Sequence, residues 1–323
     1  MRPKALTDLL ASVKLQTKYP DQIVIVDGST NFDTKDALEQ THYKNLVYYK
    51  VDEDQRGISL QRNFGMAKVT NDMNIVCFLD DDIILTPEYF NQLIGTYEKY
   101  PNAGGVGGYI INEVIWRKLG PNEKSAFKEY EIDGFVRNLG SRNVLRKRLG
   151  LLSDTKPSIM SKQSNDFPIA YLPPNNQVYN VEYFLGGVSS FKKEVIDTIK
   201  FSDYFKGYGL YEDLEYCLRV SRVYSLYVNT AAKLYHYHEP QGRPNKFNYG
   251  KMVIKNGWYV WRTKYPNPSI QSKLKWYAIA LLLTSIKFTN IITNQNKKED
   301  LNEAFGRLFG LMILLFLKPK III

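Results

Sequence analysis

Leu6, Leu9, Leu10 and Val13 recur at helical spacing over residues 5–15, and the run IVIV at 23–26 then reads as a short buried strand that stops at Asp27-Gly28-Ser29. A second apolar run, LVYYKV (46–51), precedes Gly57 and the helical stretch SLQRNFGMAKV, after which NIVCFL (74–79) reads as another strand. Strands that are apolar throughout and alternate with helices predict a parallel sheet covered on both faces. Thr86 and Pro87 are expected to cap and open a helix whose inner face is Phe90, Leu93, Ile94 and Tyr97. GGVGGYII (104–111) reads as a glycine-punctuated strand, and FLGGVSSFKKEVI, from 184, as a strand or loop entering a helix. In GYGLYEDLEYCLRVSRVY the apolar face is Leu210, Leu214, Cys217 and Leu218, with Glu212 and Asp213 in the first turn. Residues 116–175 are polar and carry Arg137, Arg142, Arg146, Lys147 and Arg148, which reads as an excursion with a solvated basic face.

Composition narrows the class. Only Cys77 and Cys217 occur, with no CxxC spacing, so neither a disulfide framework nor a thiolate metal site is expected, and a reducing cytoplasm fits. The opening MRPKALTDLLASVK has cations but no uninterrupted apolar run, unlike a secretory signal. Of the net charge of +10, residues 256–323 hold 10 Lys or Arg against Glu299, Asp300 and Glu303, or 10 − 3 = +7. That tail includes WYAIALLLTSI (276–286) and LFGLMILLFL (308–317), both short of the ~20 apolar residues a spanning helix needs. Basic residues around short apolar helices fit in-plane association with anionic lipid at the inner face of the cell membrane. No basic and aromatic stripe follows a nucleic-acid motif, so nucleic acid is not expected as a partner.

The candidate chemistry lies in VCFLDDDII, where Asp80, Asp81 and Asp82 end an apolar strand. Ligands of open α/β sheets bind beyond the carboxyl ends of strands. First and third side chains of a strand-end D-x-D share a side, and hard oxygen ligands favour Mg²⁺ or Mn²⁺. A haloacid-dehalogenase-type phosphotransferase fits poorly, because its pattern belongs to the first strand and wants Thr or Val where this chain has Ile84. A prenyl synthase carries its aspartates on a helix.

Taken in order, LLASVKLQTKYPDQIVIVDGST, GISLQRNFGMAKVTND, FLDDDI, FLGGVSSFKKEV and YEDLEYCLR resemble the inverting family 2 glycosyltransferases of GT-A fold, over residues 1 to about 240. The resemblance implies a Rossmann-like α/β fold, with a mostly parallel central sheet flanked by helices, over residues 1–255; the basic, apolar tail, 256–323, is expected to be a C-terminal helical extension associated with the membrane. It implies that Asp27, Gly28, Ser29, Arg62, Asn63, Asp80 and Asp81 face a nucleotide-sugar donor, with Asp82 on the metal that holds its diphosphate. Gly186, Gly187 and Glu212 would lie toward the acceptor, a glycan or lipid-linked glycan, and Asp213 would be the catalytic base. His236 and His238, on LYHYHEPQGR, are candidate metal ligands, both expected on one face of an extended segment. The activity implied is metal-dependent, inverting sugar transfer in cell-surface polysaccharide synthesis.

The family's usual first strand has no counterpart ahead of RPKALTDLL. The expectation is an unpaired parallel edge, with the start either lying upstream or the chain being an inactive remnant that binds nucleotide or partners at the membrane.

Overall fold

A computed structural model describes residues 2–164, 166–238, 244–293 and 295–321. In chain order the elements are α1 (Pro3–Lys14), β1 (Ile23–Asp27), α2 (Asp33–Glu39), β2 (Leu46–Lys50), α3 (Ile58–Met66), β3 (Ile75–Leu79), β4 (Ile83–Leu85), α4 (Tyr89–Lys99) and β5 (Ala103–Ile110). Next come β6 (Arg117–Lys118), β7 (Glu129–Ile132), β8 (Phe135–Asn138), α5 (Ser141–Arg148), β9 (Val178–Val181), β10 (Val188–Lys192), α6 (Lys193–Thr198), α7 (Glu212–Val220) and β11 (Ser225–His236). Three helices close the chain: α8 (Lys246–Lys264), α9 (Ile270–Thr293) and α10 (Lys297–Phe316).

The chain divides into two compact units, 2–115 with 172–238, and 116–171 with 244–321. In the first, six strands form one sheet in the order β3-β10-β5-β11-β4, with β9 also on β11. β5 and β11 run parallel, while β10 is antiparallel to both β3 and β5, and β4 and β9 are antiparallel to β11. β1 and β2 pair in parallel as a sheet of their own, in register Ile23 with Leu46 through Asp27 with Lys50. The core packs α1 (Leu6, Leu9, Leu10, Val13) and α4 (Tyr89, Phe90, Leu93, Tyr97) on strand residues including Ile83, Val106 and Leu234. Every residue of β5 is buried, and its glycines make room for aromatic rings: a Cβ on Gly108 would stand 2.5 Å from Tyr89 Cε2. Tyr89 in turn donates its hydroxyl proton to Val188 O at 3.1 Å, tying α4 to β10.

The helix expected to open at Pro87 begins at Tyr89. Thr86 does not cap it: its hydroxyl donates to Lys233 O at 2.7 Å, binding the end of β4 to β11.

In the second unit, the polar excursion forms a three-stranded antiparallel sheet, β6-β8-β7, and the helix α5. It has its own aromatic core, in which Tyr130 and Tyr171 meet edge to face around Phe167. Its cations are not all solvated. Arg146 is buried against Asp166, and Arg137 lies over the Tyr171 ring at 4.0 Å. Among the described residues no helix is long and apolar enough to cross a membrane. α8 and α10 touch backbone to backbone through glycines, since a Cβ on Gly250 or Gly306 would overlap the carbonyl oxygen of Glu303 or Phe247.

Gly306→Ala should therefore lower stability by about 1–3 kcal/mol through overpacking. Gly95→Ala on the exposed side of α4, where nothing stands within 4 Å, should raise it by about 0.5–1 kcal/mol. Chemical denaturation of both variants checks the pair.

Candidate active site

The site is built at the carboxyl ends of β1 and β3, the N-terminus of α7 and the end of β11. Asp27 closes β1 and is wholly buried. Its Oδ1 accepts from Ser29 N at 2.8 Å and Ser29 Oγ at 2.6 Å, its Oδ2 accepts from the Tyr48 hydroxyl at 2.7 Å, and Lys50 Nζ lies 3.7 Å away. Burial opposes ionisation, yet these hydrogen bonds and the lysine hold the carboxyl below the usual carboxylate range. Gln61 locks the turn that follows: its Nε2 donates to Val26 O at 3.1 Å, its Oε1 accepts from Gly57 N at 3.2 Å, and the side chain lies where a Cβ on Gly28 would be.

At β3 the three aspartates separate. Asp81 accepts from the backbone N and Nε of Arg2, each at 3.2 Å, and the Arg2 guanidinium also reaches Asp82 Oδ2 at 3.1 Å. Asp80 Oδ1 accepts from Arg62 Nη2 at 3.5 Å, and its backbone N donates to Gly187 O at 3.0 Å. Desolvation, with Asp82 and Asp81 nearby, pushes the Asp80 carboxyl up against the pull of Arg62 and His236.

Arg62 joins two halves of the crevice. It donates to Glu212 Oε1 at 2.7 Å, at the first turn of α7, and lies over the Phe201 ring at 5.3 Å. The Gly186-Gly187 pair is the space these groups need: a Cβ on Gly186 would lie 2.5 Å from Arg62 Nη1, and one on Gly187 would overlap the Asp80 carboxylate. Asn63 is engaged elsewhere, clasping the Phe201 backbone in both directions at 2.9 and 2.8 Å.

α7 opens after Tyr211, a non-glycine residue held at φ 74°. Asp213 Oδ2 accepts from Gly186 N at 2.8 Å, and its Oδ1 from Leu214 N at 2.8 Å, which aims the carboxylate along the helix's N-terminal edge. Its neighbour Glu212 is buried, and desolvation followed by the charge of Asp213 raises it to about 8 despite Arg62.

His236 Nε2 lies 3.3 Å from Asp82 Oδ1, and His236 Nδ1 3.1 Å from Glu113 Oε1. Burial opposes the charged ring, but the two carboxylates raise it to about 9. His238 faces the same way as expected, its ring 3.8 Å from that of His236 and its Nε2 2.7 Å from Glu113 Oε1. It reaches this position through a positive φ of 49° rather than as extended strand. Ligand atoms of Asp80, Asp82 and His236 lie within 4.8 Å of one another. Two hard carboxylate oxygens and one imidazole are a donor set that suits Mn²⁺ or Mg²⁺. Glu113 and Arg2 belong to the site's immediate surroundings and carry no motif in the sequence, so only spatial proximity finds them; Gln61 lies in the GISLQRNFGMAKVTND stretch, which does not reveal its role in the turn.

Residues 1–151 match the family model described as Glycosyl transferase family 2. A relative from Haloferax volcanii, a glucosyl-dolichyl phosphate glucuronosyltransferase, is 30% identical over 118 residues, which is 36% of this chain and 37% of that protein. The mannosyltransferase PcManGT from Pyrobaculum calidifontis, solved with GDP-Man and Mn²⁺, superimposes with a TM-score of 0.54 at 12% identity, covering 98% of this chain and 85% of its own. S. aureus TarS 1-349 does so with a TM-score of 0.50 at 13% identity, covering 96% and 77%. The ordered motifs and the family match agree over residues 1–151, and the architecture is the α/β GT-A fold that the resemblance implied. The aligned part of the chain spans about 37% of the curated relative's length.

Glu212 gives a pH signature. Folded chain holds its proton up to about pH 8, whereas unfolded chain releases it near the ordinary value of 4.5, so the folded state binds more protons between these values. Stability should fall as pH rises through that window, and Glu212→Gln should flatten the fall. Denaturant midpoints of the wild type and variant at about pH 5 and 8.5 measure it.

Proposed function

We propose that the chain transfers a sugar, with inversion, from a nucleotide-sugar donor to a hydroxyl of a glycan or lipid-linked acceptor, with a divalent cation as cofactor. The observation that carries this is the meeting of Asp80, Asp82 and His236 within 4.8 Å, in a crevice that also holds Asp213 against Gly186. Asp82, Asp80 and His236 would hold the cation, and when bound it offsets the negative charge that develops on the departing nucleoside diphosphate. Asp27, Gly28 and Ser29 form the rigid turn at the base end of the donor, and Arg62 carries positive charge into the crevice between Asp80 and Glu212. Asp213, oriented by Gly186 N, takes the proton of the acceptor hydroxyl as it attacks the anomeric carbon. Glu212 is buried with its Oε1 on Arg62, so Asp213 is the acid of the pair assigned as base. Attack from the face opposite the leaving group inverts the anomeric centre.

The lipid-linked acceptor draws support from the dolichyl phosphate substrate in the name of the Haloferax volcanii relative. It also draws support from the α10 surface: Phe305, Phe309, Met312 and Phe316 are exposed at positions i, i+4, i+7 and i+11, one apolar stripe along the helix. With Lys318 and Lys320 just beyond it, this stripe suits in-plane binding to an anionic leaflet, on the cytoplasmic side where nucleotide sugars are found. The part of the chain from about 256 would then be the membrane-facing extension. The role in cell-surface polysaccharide synthesis follows from such an acceptor.

A second reading is an inactive nucleotide-binding or membrane-associated partner protein. It draws on the separation of β1–β2 from the six-stranded sheet, which divides the donor side of the crevice.

With Mn²⁺ present, turnover of UDP-, GDP- or dTDP-sugars is expected to fall by about 10²–10⁴-fold in Asp213→Asn, and Asp82→Ala should abolish the metal requirement together with most of the rate. Nucleotide binding without turnover would favour the second reading. Turnover untouched by either substitution would overturn the assignment of these residues. Independently, Phe309→Glu or Phe316→Glu should weaken binding to vesicles containing anionic lipid by about tenfold or more, read by flotation.

A further inference from the structure

Asn112 and Glu113 follow β5 after the single residue Ile111, lie against the end of β11, and belong to no motif. Asn112 brackets the backbone of His236, with its Oδ1 accepting from His236 N at 3.0 Å and its Nδ2 donating to His236 O at 2.9 Å. From the other direction, Tyr237 N donates to Asp82 O at 3.0 Å, so the strand end that carries His236 is fastened to both neighbouring segments. The imidazole then spans two carboxylates, with Nδ1 at 3.1 Å from Glu113 Oε1 and Nε2 at 3.3 Å from Asp82 Oδ1. A ring nitrogen can offer its lone pair to a cation only when the ring's proton stays on the other nitrogen, and a carboxylate at that other nitrogen keeps it there.

We propose that Glu113 is the positioning residue of this site. It holds the His236 proton on Nδ1 and turns Nε2 toward Asp80 and Asp82, while Asn112 fixes the backbone that carries the ring. The inference rests on the metal-dependent reading above and adds residues to it. Glu113 also meets His238 Nε2 at 2.7 Å, so the same oxygen gathers both rings on one side of the strand end.

The test is Mn²⁺ affinity by isothermal titration of the full chain, with thermal melting recorded for each variant. Glu113→Ala should bind Mn²⁺ about 10–100-fold more weakly with little change in melting temperature. Glu113→Gln, whose amide oxygen still accepts the Nδ1 proton, should retain most of the affinity. Should the alanine variant fail to fold, Glu113→Met keeps the side chain's length, removes the acceptor, and carries the same expectation. Unchanged affinity in the Ala or Met variant overturns the assignment. Equal losses in the Gln and Ala variants overturn it too, because Glu113 would then be a ligand in its own right. A wild-type chain that binds no Mn²⁺ overturns the metal reading and this assignment together, whereas wild-type binding indifferent to Glu113 overturns only the latter.

Discussion

Asp80, Asp81 and Asp82 leave β3 side by side, and Glu212 and Asp213 open α7 across the same crevice. Carboxylates so close repel one another strongly once water is removed, and they stay ionised in a fold only where cations or donors lie against them. Arg2 meets Asp81 and Asp82, Arg62 links Asp80 to Glu212, and His236 reaches Asp82. Asp213 is held by backbone N–H groups instead. Burial, more than the neighbouring charges, raises Asp80 and Glu212 above their ordinary values, so the compensation of charge is least complete at these two.

Small residues allow that arrangement. Gly186 and Gly187 stand where any Cβ would displace Arg62 or Asp80, so the charged network and the glycine pair are one structural decision. The same device recurs away from the site: Gly108 admits Tyr89 into the core, and Gly250 and Gly306 let α8 and α10 approach to backbone contact. Dense packing of this kind leaves no slack for a methyl group.

Much was legible along the chain because local rules govern it. The apolar runs of β1, β2, β3 and β5 were readable within a residue or two, as were Leu214, Cys217 and Leu218 on the inner face of α7, although Leu210 lies before that helix, and the ordered motifs resemble family 2. Less legible were features that a distant partner decides. Thr86 has the side chain of a helix cap, yet a carbonyl on β11 claims it. Arg146 reads as one of a cluster of solvated cations, yet it is buried on Asp166, 20 residues away. The bonds by which Asn63 clasps the Phe201 backbone are likewise set by a partner far along the chain.

By itself the sequence determined the fold class: continuous apolar runs and period-3.6 patterns specify elements, and an aspartate triplet at a strand end marks a candidate place for hard ligands. Only the tertiary structure decided how those ligands are divided. It sent Asp81 to Arg2, brought Asp80 and Asp82 to His236, and set Glu113 behind the imidazole, 123 residues away in the chain. The physical reason is range. Hydrophobic periodicity is a property of neighbours along the chain, whereas charge pairing and ring orientation depend on which strand ends the finished sheet places side by side.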